Sequence, residues 1–339
     1  MRLSLIGLGA TGSHIARQLS QSSFDELCLH DEVPDTQLKV TKSVKAIARD
    51  GLTVTGSDSP SADGADVVVL ACPAGSHASM AKTALDAGSH VISLSDDPGE
   101  VQSLFGLGDL ALRQNRTLTV GAGFAPGLSC ILASFVAGRL DHVDVINTYK
   151  TGTAGPACAR QHHHALKNRG SEWIEGNWVM RSGGSGRDLA WFPDPIGAKD
   201  CYRAALADPY VLQRSFPDAA RITARMAATR RDRLTSRLPM LRPPHQDGGP
   251  GAIRVEVRGR VGGSVKTIIA GAMDHPSVAA AAVAAEVAGM VGAGQAPPGA
   301  GGLSAWPDPK AMLTKLRRRG VRVALYRGVL DSDSIGEVV

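Results

Sequence analysis

The stretch that most restricts what this chain can become is its first nineteen residues, MRLSLIGLGATGSHIARQL. Residues 3–6 form a short apolar run that reads as a strand. Gly7, Gly9 and Gly12 follow in G-x-G-x-x-G spacing, and Ile15, Ala16 and Leu19 then recur at helical spacing. The glycines alone say little, but placed between a strand and a helix they are specific. Each has its own task. Gly7 permits a tight turn, Gly9 lets the backbone approach a pyrophosphate, and Gly12 lets the helix pack on the strand. Ala10 and Thr11 open the helix, whose free N–H groups and positive dipole end suit phosphate oxygens. Such a start commits the chain to βαβ connections and a parallel sheet.

A second strand, ELCLHDE, ends at Asp31, at the distance where an acidic residue grips an adenosine ribose. A carboxylate there repels a 2′-phosphate, so the expected cofactor is NAD. NADP stays open through Lys39 and Lys42 if the loop folds back, and Asp31 also reads as a turn residue before Pro34. Further strand-and-helix units follow in ADVVVLACPAGSHASMAKTALDAG, SHVISLSDDPGEVQSLF and RTLTVGAGFAPGLSCILASFVAGRL. Continuous Val/Leu/Ile runs mark strands buried on both faces. The fold class is therefore α/β, a doubly wound parallel sheet of the Rossmann type over residues 1–125. Ligands of such sheets lie at the carboxyl ends of the strands. The expected cofactor-binding set is Gly7, Gly9, Ala10, Thr11, Gly12, Asp31, Cys72, Pro73, Ala74, Gly75, Ala122, Phe124 and Pro126. Asp96 and Asp97 end the fifth strand, as candidates to polarise a substrate amine or, equally, as a helix cap before Pro98.

Residues 126–294 read differently. HVDVINTYKTG, SEWIEGNWVMRS and RDLAWFPD alternate in polarity, and GAIRVEVRGRVGGSVKTIIAGAMD reads as a hairpin. Helices are expected at about residues 209–214, 219–237 and 276–291. The second domain is thus an α+β unit with an open, mainly antiparallel sheet, serving substrate and dimer contacts. Two Pro/Gly-rich loops, LPMLRPPHQDGGPG and GAGQAPPGAGG, bound its later part. The second loop separates a C-terminal segment, 295–339, that is expected to return to the first domain.

Composition removes several function classes. Much of the positive excess behind the net charge of +5 is local, in RITARMAATRRDRLTSR and KLRRRGVR, and no aromatic platform accompanies it, so no nucleic-acid partner is expected. The longest apolar run, HPSVAAAAVAAEVAGMVGAG, is alanine-rich and broken by Glu286, which suits a packed helix and gives no membrane span. The five cysteines are widely spaced without a CxxC, a pattern of reduced thiols. With no apolar leader at Met1, the expected location is the cytoplasm.

With these readings in place, the chain resembles the saccharopine dehydrogenase-like NAD(P)-dependent oxidoreductases, in the saccharopine reductase, carboxynorspermidine and lysine dehydrogenase branch. The residues that carry the resemblance are GLGATG, CPAGSHASMAKTALDAGSHVISLSDD and GAGFAPGLSCILA, with looser matches at WFPDPIG, VEVRG and HPSVAAAAVA. It covers most of residues 1–294. It implies hydride transfer between a nicotinamide and an imine or amine carbon of a small amino-acid-like substrate, and a homodimer formed through the second domain. A C–O substrate, such as a hydroxy acid or semialdehyde, and a non-catalytic dinucleotide-binding protein remain as alternatives.

The chemistry needs a proton donor or acceptor and a cation for a substrate carboxylate. Lys150 ends a strand that aims along a glycine-rich loop into PACARQHHHALKNRG. Lys150 and Asp96 are candidate catalytic groups, together with one of His162, His163 and His164. Arg160, Arg187 and Asp97 are candidate substrate contacts. Three adjacent histidines point about 100° apart on a helix and cannot share one ion. The i, i+4 pattern H-E-x-x-H is absent, so no metal site is expected from them.

Overall fold

The structure is a computed structural model, and it describes residues 1–60, 62, 64–240 and 243–326. The first layer is built from β1 (Arg2–Ile6), α1 (Ala10–Leu19), β2 (Glu26–His30), α2 (Pro34–Lys45), β3 (Thr53–Gly56), β4 (Val67–Leu70), α3 (His77–Asp86), β5 (His90–Ser93), α4 (Pro98–Phe105), α5 (Gly108–Arg113) and β6 (Thr117–Val120). Its strands are parallel, in the order β6-β5-β4-β1-β2-β3. The strands VVVL and TLTV are buried along their whole length and rich in β-branched residues, as suits a sheet covered on both faces. The chain reverses direction between β1 and β4, and the crevice beyond their carboxyl ends is where this topology places a ligand.

The second layer follows through α6 (Leu128–Ala137), β7 (His142–Thr151), α7 (Pro156–Lys167), β8 (Gly170–Ile174), β9 (Asn177–Arg181), β10 (Asp188–Trp191), β11 (Ala198–Arg203), α8 (Asp208–Ser215), β12 (Arg221–Ala227), α9 (Arg230–Thr235), β13 (Gly251–Val261) and β14 (Ser264–Asp274). The described chain ends with α10 (Pro276–Gly292), β15 (Gly299–Gly301), α11 (Pro309–Arg318) and β16 (Arg322–Tyr326). The second sheet runs β10-β11-β12-β7-β13-β14-β16, with β8 paired to β12 and β9 to β8. Its pairings are antiparallel except β12 with β7. The fold class is thus a parallel dinucleotide-type sheet followed by a mixed, mainly antiparallel one.

Three stretches differ from the sequence reading. The helix expected over 219–237 is a strand, β12, followed by the short α9. Ile222, Ala224 and Met226 repeat with period two and are buried. On the opposite face Thr223 and Arg225 are buried as well, and the Thr223 hydroxyl donates to Asn147 Oδ1 at 2.7 Å. Lengthwise the strand sits between β7 and β11, where only extended backbone closes both ladders. The second difference is α10, which packs on α1, β4 and β5 and so belongs to the first layer. Its alanines let it lie close against the sheet from a position late in the chain. The third is the C-terminal segment, which serves both layers. β15 joins the first sheet beside β6, whereas β16 joins the second beside β14; residues 327–339 lie outside the described residues. One hydrophobic core spans both layers, and α6, buried around most of its surface, sits within it.

Candidate functional site

The three glycines after β1 are required for different reasons. Gly7 has φ +93°, and a Cβ there would lie 2.5 Å from the Cys72 nitrogen. A Cβ on Gly12 would lie 1.8 Å from the Gly7 carbonyl oxygen. Both are demanded by the protein's own packing. Gly9 is extended, caps α1 without a side chain, and would place its Cβ with nothing within 4 Å. What a side chain at Gly9 would fill is cleft space, at the amino end of α1 where backbone N–H groups lack helical partners. That is the cradle a pyrophosphate needs, so the residues present fit a dinucleotide.

Asp31 closes the cradle. Its carboxylate accepts from the N–H of Leu8 at 2.7 Å and of Val33 at 2.9 Å, tying the β1–α1 turn to the end of β2. It lines the cleft together with Glu32, whereas Lys39 and Lys42 are exposed on α2 and do not.

The turn after β4 is held by a carboxylate that the sequence did not single out. Glu100, buried on α4, accepts from the N–H groups of Gly75 and His77 and from the Ser95 hydroxyl. His77, also buried, reaches Ser93 Oγ and the Cys72 carbonyl, each at 2.9 Å. Together they fix Cys72, Pro73 and Ala74 along the cleft wall. Burial pushes the Cys72 thiol up. Gly75 spends its N–H on Glu100 and, like Gly12 and the fully buried Ala122, supports the wall without lining it. Phe124 and Pro126 line it directly, on a turn that closes because Gly127 has φ +133° and its Cβ position would overlap the Gly123 carbonyl oxygen at 2.1 Å.

At the other end of the same cleft, about 650 Å³ in volume, both layers contribute charge. Lys150, at the end of β7, is buried; its ammonium donates to the Ala125 carbonyl at 3.2 Å and stands 3.5 Å from Asp96 Oδ2. His162 Nε2 is 3.6 Å from the same Asp96 oxygen and 3.5 Å from Cys158 Sγ. Burial acts to raise the Asp96 carboxyl, but the facing imidazole and the Lys150 charge outweigh it and hold the group at about 2. Burial opposes the ionised forms of Cys158 and His162 too. Their mutual attraction prevails, so the thiol is lowered and the imidazole raised. Cys158 and His162 are four residues apart on one face of α7, a spacing present in CARQH that the histidine run obscured.

The helix separates the three histidines. His162 is buried toward the cleft, His163 donates to the Leu238 carbonyl at 2.8 Å, and His164 is exposed. Arg160 lines the cleft mouth. Two residues expected at the substrate lie elsewhere. Asp97 caps α4, accepting from the Glu100 N–H at 2.9 Å, because Pro98 starts the helix there. Arg187 is exposed and pairs with Asp200 at 2.9 Å, away from the cleft lining. Asp208, which the sequence reading passed over, is buried and accepts from Ser129 Oγ at 2.6 Å; burial pushes its carboxyl up against the pull of Lys150.

Residues 2–98 match the family model described as semialdehyde dehydrogenase, NAD binding domain. Among solved structures, apo saccharopine dehydrogenase (L-Glu forming) from Saccharomyces cerevisiae aligns over 96% of this chain and 100% of that one, at 13% identity with a TM-score of 0.72. The DAP dehydrogenase of C. glutamicum in complex with DAP aligns over 90% and 93%, at 13% identity with a TM-score of 0.48. Residues 2–98 thus carry an NAD-binding domain, and the whole chain shares the fold of the yeast enzyme. No helix among the described residues is long and apolar enough to cross a membrane.

Proposed function

We propose that this protein is an NAD-dependent oxidoreductase that moves a hydride to or from the carbon of a C–N bond in a small amino-acid-like substrate. The observation that carries this reading is the pairing of opposite charges at the end of the dinucleotide cleft. Asp96, held ionised, suits a substrate ammonium or iminium, while Lys150 and Arg160 suit a carboxylate. A cleft with both signs fits a zwitterion better than a neutral alcohol. The resemblance to saccharopine dehydrogenase-like enzymes points the same way.

Gly7, Gly9, Ala10 and Thr11 would hold the pyrophosphate and Asp31 the adenosine ribose, which favours NAD over NADP. When bound, the nicotinamide supplies or accepts the hydride. The chain's own groups do the rest. Lys150, desolvated beside Asp96, holds a proton within reach of the substrate nitrogen, and Asp96 keeps that ammonium oriented. Arg160 anchors the carboxylate at the mouth. The walls from Cys72 to Ala74 and from Phe124 to Pro126 exclude water and position the reacting carbon.

A C–O substrate is the second reading. Its support is the Cys158–His162 pair, since a lowered thiol beside an imidazole is a nucleophile suited to an aldehyde. NAD(H) absorbance followed over amino acids, keto acids with amines, aldehydes and hydroxy acids separates the two. Turnover only with amines or imines supports the proposal. Turnover only with aldehydes or alcohols rejects it, and tight NAD binding with no turnover on any of them rejects both.

A further inference from the structure

Asp96, Cys158 and His162 offer three donor atoms that all lie within 4.8 Å of one another. Two of their separations are short, Sγ to Nε2 at 3.5 Å and Nε2 to Oδ2 at 3.6 Å. A tetrahedral ion with ligands at about 2.0–2.3 Å sets its donor atoms roughly 3.3–3.6 Å apart. By contrast, an N–H···O bond between imidazole and carboxylate closes to about 2.9 Å. Among the described residues the groups facing the Asp96 carboxylate stand farther off, His162 at 3.6 Å and Lys150 at 3.5 Å. The imidazole Nε2 thus faces the thiol and the carboxylate at once, at separations that leave room for an ion among the three donors.

We propose that Asp96, Cys158 and His162 form a site for one Zn2+ ion, with its fourth position open to the cleft. The donor set of thiolate, imidazole and carboxylate is that of a borderline-soft divalent ion, and three protein ligands with one open position is the catalytic pattern. The i, i+4 spacing of Cys158 and His162 on α7 presents two ligands on one helix face. The third comes from the loop after β5, so the ion bridges the two layers. The carboxylate and thiolate neutralise the ion and Lys150 remains the local cation, so the loaded site takes the substrate as a neutral imine or carbonyl, and Asp96 meets an ammonium only in the metal-free chain. Binding displaces protons from Cys158 and His162, so affinity falls as pH drops. The ion's use, polarising the substrate C=N or C=O at the open position, rests on the proposed reaction; its binding rests on the donor geometry alone.

The test is titration of the full chain, stripped with a chelator, with Co2+ and then Zn2+. The expected result is a single equivalent of Co2+ giving tetrahedral visible absorption and a thiolate-to-cobalt charge-transfer band, both abolished by Zn2+. Cys158→Ser and His162→Gln lose the charge-transfer band and stoichiometric binding, while His163→Gln keeps both. Circular dichroism and NAD titration of each variant separate lost ligation from lost folding. Should the variants misfold, alkylation of Cys158 in the wild-type chain must be blocked by Zn2+. A pale octahedral spectrum, a band that survives both ligand variants, or alkylation unaffected by Zn2+ overturns the site. Full amine turnover by the stripped enzyme, with no Co2+ bound, overturns the zinc site and leaves the oxidoreductase reading standing. Stoichiometric Co2+ binding without any dinucleotide reaction does the reverse.

Discussion

Gly9 and Gly12 share one motif, and substitution separates their tasks. A Cβ on Gly12 overlaps the Gly7 carbonyl, so Gly12→Ala should destabilise the chain by about 1–3 kcal/mol or more, the cost of overpacking, read from its denaturation midpoint. Gly9→Ala meets nothing, so the midpoint should hold while the NAD Kd rises about tenfold or more, equivalent to about 1.4 kcal/mol. Equal loss of stability in both variants would contradict this division. Asp31→Ala should weaken NAD binding far more than NADP binding in parallel titrations, and equal effects would remove the NAD preference. Asp208 gives a pH prediction. Its carboxyl is raised by burial, so the protonated form adds stability that is present at acid pH and lost as pH rises through the folded value. Asp208→Asn should therefore match or exceed the wild-type melting temperature near neutrality, with an advantage that shrinks on acidification. The glycine tasks were legible in the sequence because they follow from local backbone geometry. Glu100 was not, because the N–H it accepts from at Gly75 lies 25 residues away.

At the scale of elements, α7 turns a run of histidines into one cleft residue and two outside it. Replacing His162 with Ala should lower turnover by about 100-fold, the lower end of what a positioned acid–base group contributes, because its ring faces the Asp96 carboxylate that would meet the substrate. His163→Ala and His164→Ala should stay near wild type, since one ring faces the Leu238 carbonyl and the other is exposed. Comparable losses in all three would mean that α7 is misplaced. Helical spacing predicted this division without saying which ring faces in. The sheet was less legible. In RITARMA the alternation of Ile222, Ala224 and Met226 signals a strand, but the arginines gave the stretch the look of a charged helix. Arg225 is instead buried, near the carboxylates of Glu172 and Asp188. A charged residue at a core position is visible only once its partners are placed.

At the scale of the whole molecule, the cleft joins a cradle built by the first sheet to a charged end built by both. Its first half was legible because the glycine turn, β4 and the turn after β6 are contiguous motifs. Of its second half the residues were named, Asp96, Lys150 and one of three histidines, but not their meeting, because Asp96 reaches His162 and Lys150 only when α7 and β7 fold over the first layer. Cofactor should stabilise the molecule by mass action, by about 2.7 kcal/mol at a hundredfold excess over its Kd. The most direct measurement is a crystal structure with NAD bound. The pyrophosphate is expected against the N–H groups of Gly9, Ala10 and Thr11, the adenosine ribose on Asp31, and the nicotinamide ring between Phe124 and the Lys150–Asp96–His162 cluster. Phosphates bound away from residues 7–12, or a nicotinamide ring remote from Lys150 and His162, would contradict this placement.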